Sequence, residues 1–246
     1  MRKQNKPAEE NLVVIHTSQK KSSPENKIST NNSIQEVNRL IAEHGDKVKQ
    51  VHLHGKIGDL EHLDKDFRGI IKIFAKSKKE VITHSQLLAG RRCYLCPEFP
   101  LKKSVDITFI TSMGIAVDLL YRVDQMKKDV VLEILNHYLH HSPLETPVEP
   151  FHFILMSKLK ATKVNLWNLH LLFPDQVKEY YKSIPKEQPG CLSCLHFHFC
   201  FSWGKYEKDT CELWQAILDC LQQNAAAIKS SFRRLCRGQA PRRGVI

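Results

Sequence analysis

Lys49-Gln-Val-His-Leu-His54, running into the turn Gly55-Lys-Ile-Gly58-Asp59, is the stretch whose reading decides the fold. Val51 and Leu53 alternate with polar residues, the period-two pattern of a strand, and the turn ends it. Upstream, Leu12-Val-Val-Ile15 is a short apolar run that suits a buried strand. Between the two, Ser33 stands at an N-cap position. Ile34, Val37, Leu40 and Ile41 then recur at helical spacing, and Gly45 closes the helix. Downstream, Phe67, Ile70, Ile71 and Phe74 form an apolar stripe that predicts a helix over 64–76, and Val81-Ile-Thr83 reads as a third strand. The order β-α-β-α-β with short connections is the signature of a parallel sheet or barrel.

Further along, Val105 to Thr111 reads as a strand, and 115–120 fits strand or helix equally. Val130, Val131, Ile134, Leu135 and Tyr138 give an amphipathic helix over 129–140. Phe151 to Met156 reads as a strand, 166–173 as helical, and 209–234 as a helix. The stretch 18–32 is polar and reads as a loop. The expected organisation is a disordered lead over 1–10, an α/β barrel-like domain over 11–184, a cysteine-rich α domain over 191–236, and a basic tail over 237–246. The joint at Pro185 to Gly190 marks the boundary.

The chain has 246 residues, with 37 Lys and Arg against 26 Asp and Glu, a net charge of +11. That excess suits an anionic partner such as nucleic acid. Much of it lies at the ends, in Arg2, Lys3, Lys6, Lys20, Lys21 and Lys27 of the head and Arg233, Arg234, Arg237, Arg242 and Arg243 of the tail, where basic residues are usually solvated. No secretory signal or membrane-length apolar run is visible, so a cytoplasmic location and no membrane partner are expected. In that compartment thiols stay reduced, and paired cysteines read as ligands or redox centres before disulfides.

Three of the eight cysteines fall within Cys191-Leu-Ser-Cys194-Leu-His-Phe-His-Phe-Cys200. A second pair, Cys93-Tyr-Leu-Cys96, lies upstream. Two thiolates separated by two residues can wrap one metal from a tight turn, and soft sulfur ligands select zinc or iron–sulfur clusters. The fourth ligand would be Cys211, Cys220, Cys236, His196 or His198, or else Cys93 and Cys96 close the site. The plainer alternative is buried free cysteine in an apolar segment. A thioredoxin-like pair at Cys93 and Cys96 is a poorer fit, because Pro97 and Pro100 follow at once.

His52 and His54 flank Leu53 on the expected strand, so both point to one face. They suit an acid–base pair or a second metal, or simply hydrogen-bonding residues at a strand end. Gly55-Lys-Ile-Gly58 lacks the spacing of a phosphate loop. Neither a nucleophile elbow nor a dinucleotide fingerprint occurs.

The order of elements resembles part of a radical S-adenosylmethionine barrel. The carriers are Leu53-His-Gly55 with Asp59, then Val81-Ile-Thr83 and Leu87-Leu88. Cys191-x2-Cys194-x5-Cys200 resembles the opening of the SPASM extension, which holds auxiliary iron–sulfur clusters in peptide-modifying maturases. The resemblance spans roughly 11–204. In the family, the first strand leads into the cysteine triad of the radical cluster. Here His16-Thr-Ser-Gln-Lys-Lys-Ser-Ser stands there instead, and Gly204 occupies the place of a further SPASM cysteine.

The resemblance therefore implies a degenerate maturase without the radical site. Such a protein would be an accessory of peptide modification carrying a cysteine-ligated iron–sulfur cluster or metal, with a peptide or a peptide-modifying enzyme as partner. Its peptide is expected over the carboxyl ends of the strands, near His54, Asp59, Thr83 and Ser112. The alternative is a zinc-stabilised nucleic-acid-binding protein whose metal site is Cys93, Cys96, Cys191 and Cys194.

Overall fold

The computed structural model describes residues 13–16, 27–29, 33–91, 93–101, 103–120, 122–141, 146–158 and 208–238. They belong to two compact units that divide between Phe99 and Pro100, inside the span expected to form one barrel-like domain.

The first unit is a parallel sheet with helices. Its strands are β1 (Val13–His16), β2 (Lys27–Ser29), β3 (Val48–Leu53), β4 (Ile70–Ala75) and β5 (Cys93–Pro97). They pair side by side in the order β2-β1-β3-β4-β5, every pair parallel. The α/β class expected from the sequence holds. The polar stretch read as a loop contributes β2.

Helix α1 (Ile34–His44) forms where its apolar spacing requires, burying Ile34, Val37, Leu40 and Ile41. Gly45 ends it at φ 53°, a left-handed conformation that a Cβ would penalise. The stripe at Phe67, Ile70, Ile71 and Phe74 misled, because 70–75 is strand β4 and not a helix. Ile71, Ile73 and Ala75 are buried together, and that alternation with three β-branched isoleucines decides it. Val81-Ile-Thr83 lies in helix α2 (Lys78–Thr83), which buries Val81 and leaves Ile82 45% exposed. Helix α3 (Ser85–Gly90) then leads into β5, so Cys93 and Cys96 lie on a strand and not in a loop.

In the second unit, the segment read as a strand over 105–111 is helix α4 (Val105–Ser112). Ile107, Ile110 and Thr111 are buried, the i, i+3, i+4 pattern of one helical face. Strand β6 (Ala116–Asp118) pairs in parallel with β7 (Val148–Glu149). Between them runs α5 (Lys128–His141), the helix expected from its periodicity. Phe151 to Met156 lies in helix α6 (Phe151–Lys158), again with Phe151, Ile154 and Leu155 buried at helical spacing. A carboxylate oxygen of Glu149 accepts the Phe153 N–H at 3.1 Å and satisfies one orphan donor of its first turn. In both misread segments β-branched and aromatic residues simulated a strand, and tertiary packing overrode that propensity.

Helix α7 (Lys208–Gly238) matches the expected C-terminal helix and packs on α5 and α6. Leu213, Trp214, Ile217, Leu218 and Leu221 form its buried stripe, and Trp214 Nε1 donates to Asp124 Oδ1 at 2.9 Å. The expected helix over 166–173 lies outside the described residues. Among those residues no helix is long and apolar enough to cross a membrane.

Candidate functional site

Strands inside a parallel sheet are normally apolar on both faces. Here one face is not. Its side chains include His52, which meets Gln50 on one side and Phe74 on the other, and Lys72 stands in register beside His52. Gln50, His52 and Lys72 are buried, at 1%, 6% and 0% exposure. Tyr94 on β5 is in register with Lys72, and Cys96 with Phe74. On β1 the backbone of His16 occupies the position opposite His52. The opposite face carries Val51, Leu53, Ile71, Ile73, Ala75 and Leu95, all buried, and the helices α1, α2 and α3 pack on β1, β4 and β5.

Burying an amide, an imidazole and an ammonium costs stability unless each finds partners. Gln50 Oε1 and His52 Nε2 form a buried hydrogen bond at 3.0 Å. Gln50 Nε2 is buried without a partner. His52 tilts against Phe74 at 5.7 Å, and His54 stacks on the same ring at 4.0 Å.

His54 stands one residue beyond β3, at the carboxyl edge of the sheet, where α/β folds place their ligands. Burial lowers its proton affinity below the ordinary imidazole range. Glu98 pulls in the other direction, and Lys76 adds to the lowering. The turn beyond it is held from several sides. Asp59 Oδ2 accepts the Lys56 N–H at 3.2 Å, and Glu80 Oε1 accepts the Ile57 N–H at 2.8 Å. A Cβ on Gly55 would lie 2.8 Å from Asp59 Oδ2, so glycine permits the carboxylate to close over the turn. Asn38 of α1 fixes the far end, donating to the His62 carbonyl at 2.8 Å and accepting the Asp64 N–H at 2.9 Å.

The other expected site residues are scattered. Thr83 is exposed on α2, and its hydroxyl donates to the Lys79 carbonyl at 3.0 Å. Ser112 is exposed on α4 in the second unit and donates to the Phe109 carbonyl at 2.7 Å. Neither stands at a strand end, because the strands expected there are helices. Of the four residues expected to line a peptide groove, His54 and Asp59 share the segment that follows β3.

Cys93 and Cys96 are buried at positions three apart on β5, which sends their side chains to opposite faces. Their thiols therefore do not form one chelating turn. Cys93 Sγ donates to the Leu88 carbonyl of α3 at 3.4 Å, and burial pushes its thiol up to about 12. Cys211 and Cys220 are nine apart on α7, half a revolution round the helix, so they serve different surroundings. Asn224 donates to the Cys220 carbonyl at 2.9 Å, and burial raises the Cys220 thiol above its ordinary value. Cys191, Cys194 and Cys200 lie outside the described residues. Among the described residues no three His, Cys, Asp or Glu side chains are grouped to hold a metal.

No protein-family model, curated protein or solved structure matches the chain. The site is thus defined by its own residues. Sequence reading paired His52 with His54 but missed Gln50, Lys72 and Tyr94. The signal was a single charge inside Ile70-Ile-Lys-Ile-Phe74, masked by the helical spacing assigned to that run.

Proposed function

We propose that this protein is an accessory of peptide modification. In this reading it binds its peptide at the polar face and carboxyl edge of an open, barrel-like parallel sheet. The observation that carries it is the buried set Gln50, His52 and Lys72 on one face of that sheet. A sheet that needed only stability would place apolar residues there. Amide, imidazole, ammonium and phenol groups suit the carbonyls and carboxylates of a peptide, and the His54–Phe74 stack offers an apolar platform beside them. The absence of a cysteine triad after β1 favours binding over radical chemistry. Cys191, Cys194 and Cys200, with Cys211 or Cys220, would carry an iron–sulfur cluster or zinc in the same reading.

The zinc-stabilised nucleic-acid-binding alternative is weaker. Its four-thiolate site needs Cys93 and Cys96 to converge, and β5 turns them apart.

The test is anaerobic purification of the full chain with iron and zinc analysis and a visible spectrum. Iron with broad visible absorption supports the maturase-like reading. One colourless zinc per chain that survives the Cys93→Ser substitution supports a site built from the downstream cysteines alone. A protein with neither metal overturns the metal-carrying part.

A further inference from the structure

We infer that the basic side of α7 docks on the phosphate backbone of duplex DNA. This partner lies beyond the proposed peptide role, does not rest on it, and needs no zinc site.

Helix α7 is continuous, yet its polar positions change sign along its length. Asp209, Glu212 and Asp219 fall in its first half. From Cys220 to Ile246 the chain has no acidic residue and six basic ones, Lys229, Arg233, Arg234, Arg237, Arg242 and Arg243. The first four belong to α7. At about 100° per residue, positions 229, 233, 234 and 237 cluster roughly 150° round the axis from the buried stripe of Trp214, Ile217, Leu218 and Leu221. Gln222, Gln223, Ala226 and Lys229 share that side and are exposed.

The arrangement weakens the helix that carries it. Positions 229 and 233, and again 233 and 237, set like charges four apart, and 234 and 237 set them three apart. Helix α1 shows the ordinary solution, in which Arg39 pairs with Glu36 at 2.8 Å and Glu43 at 2.9 Å. The helix dipole does not account for the row. It favours cations within the last turn, and Lys229, Arg233 and Arg234 stand before that turn. A partner that supplies the missing negative charge does account for it.

The composition of this side selects the partner. A protein groove or a lipid surface grips a helix by its apolar face. In α7 that face is the buried stripe and its continuation through positions 225, 228, 232 and 235. The basic side holds Gln, Ala, Ser, Lys and Arg, with no large apolar or aromatic residue. Single strands are held by aromatic stacking, which that side cannot offer. Duplex DNA asks only for cations on an element that fits its major groove, and an α-helix fits.

The test is fluorescence anisotropy of the full chain with a labelled random-sequence DNA duplex, titrated between about 50 and about 200 mM potassium chloride. Log affinity should fall with log salt with a slope of about −3.6 or steeper, at roughly −0.9 for each of four neutralised phosphates. Arg233→Gln combined with Arg237→Gln should make the slope shallower by about 1.8 and weaken binding about tenfold or more at the lowest salt. Glutamine keeps the helix propensity and removes the like-charge pairs, so the Tm of this variant should equal or exceed that of the wild type. Lys47→Gln combined with Lys65→Gln removes the same charge from exposed positions of the first unit and should leave the slope unchanged.

No binding of the duplex, or an unchanged slope in the α7 variant, would overturn the inference. An equal loss of slope in the Lys47 and Lys65 control would overturn its placement on α7. Equal affinity for single-stranded DNA, polyglutamate or phosphatidylserine vesicles would overturn duplex recognition in favour of a general polyanion surface. The metal analysis is read separately, so failure here leaves the peptide-modification reading standing.

Discussion

His54 lies flat on Phe74, their ring centroids 4.0 Å apart and their planes 13° from parallel. The stack joins the end of β3 to the middle of the polar face, because Phe74 also touches His52 at 5.7 Å. Phe74→Leu keeps most of the apolar area and removes the stack. It should cost about 1 kcal/mol, the usual worth of an aromatic pair beyond burial. Urea denaturation of the variant measures it, and a loss confined to a few tenths would show that the rings merely coexist.

The same burial makes stability depend on pH. His54 takes up its proton less readily in the folded chain than at the ordinary 6.5. In the interval below 6.5 the unfolded chain therefore holds more protons than the folded one, and stability falls as pH falls. Above 6.5 that contribution is fully present. His54→Gln should flatten this part of a Tm-against-pH profile. A variant whose acid slope equals the wild-type slope would assign the effect to other histidines.

Cys93 should be chemically silent. With its thiol pushed up to about 12 from the ordinary 9.0, it carries about a thousandfold less thiolate near neutral pH than an ordinary cysteine. Iodoacetamide on the native protein, read by peptide mass spectrometry, should modify half-buried Cys211 well before Cys93. Rapid labelling of Cys93 before unfolding would contradict its packed position against α3.

Gly69 precedes β4 at a close approach. A Cβ there would fall 2.7 Å from the Lys49 carbonyl oxygen and against the Phe67 ring. Gly69→Ala should cost about 1–3 kcal/mol, because the obstacle is backbone of the neighbouring strand. An unaffected denaturation midpoint would mean that the β3–β4 edge yields easily.

Local signals that agreed with tertiary context were legible in the sequence. The helix at Ile34–His44 announced itself through four buried apolar positions and Gly45, and α5 and α7 through sustained periodicity. Strand β3 was plain because Val51 and Leu53 alternate and a turn follows. The errors came from short β-branched runs. At 105–112 and 151–158 the buried positions follow helical spacing, which only packing reveals. At 70–75 both periods fit, and the lone Lys72 was the discriminating residue. The face it marks depends on register between strands far apart in sequence, so single-strand patterns could not disclose it. The two cysteines on β5 illustrate the same point, since a spacing of three means a chelating turn in a loop and divergence in a strand.

Numbering along the sheet carries one further consequence. In β3, β4 and β5 the even positions include Gln50, His52, Lys72, Phe74, Tyr94 and Cys96 beside the apolar Val48 and Ile70, while the odd positions include Val51, Leu53, Ile71, Ile73, Ala75, Cys93 and Leu95, with Lys49 near the start of β3. A slip of one residue would exchange the two sets and drive an ammonium and an imidazole under the helices. The polar residues thus act as a parity check on assembly, penalising every misaligned pairing. Replacing them with apolar ones should yield a sheet that is more stable yet less certain of its alignment.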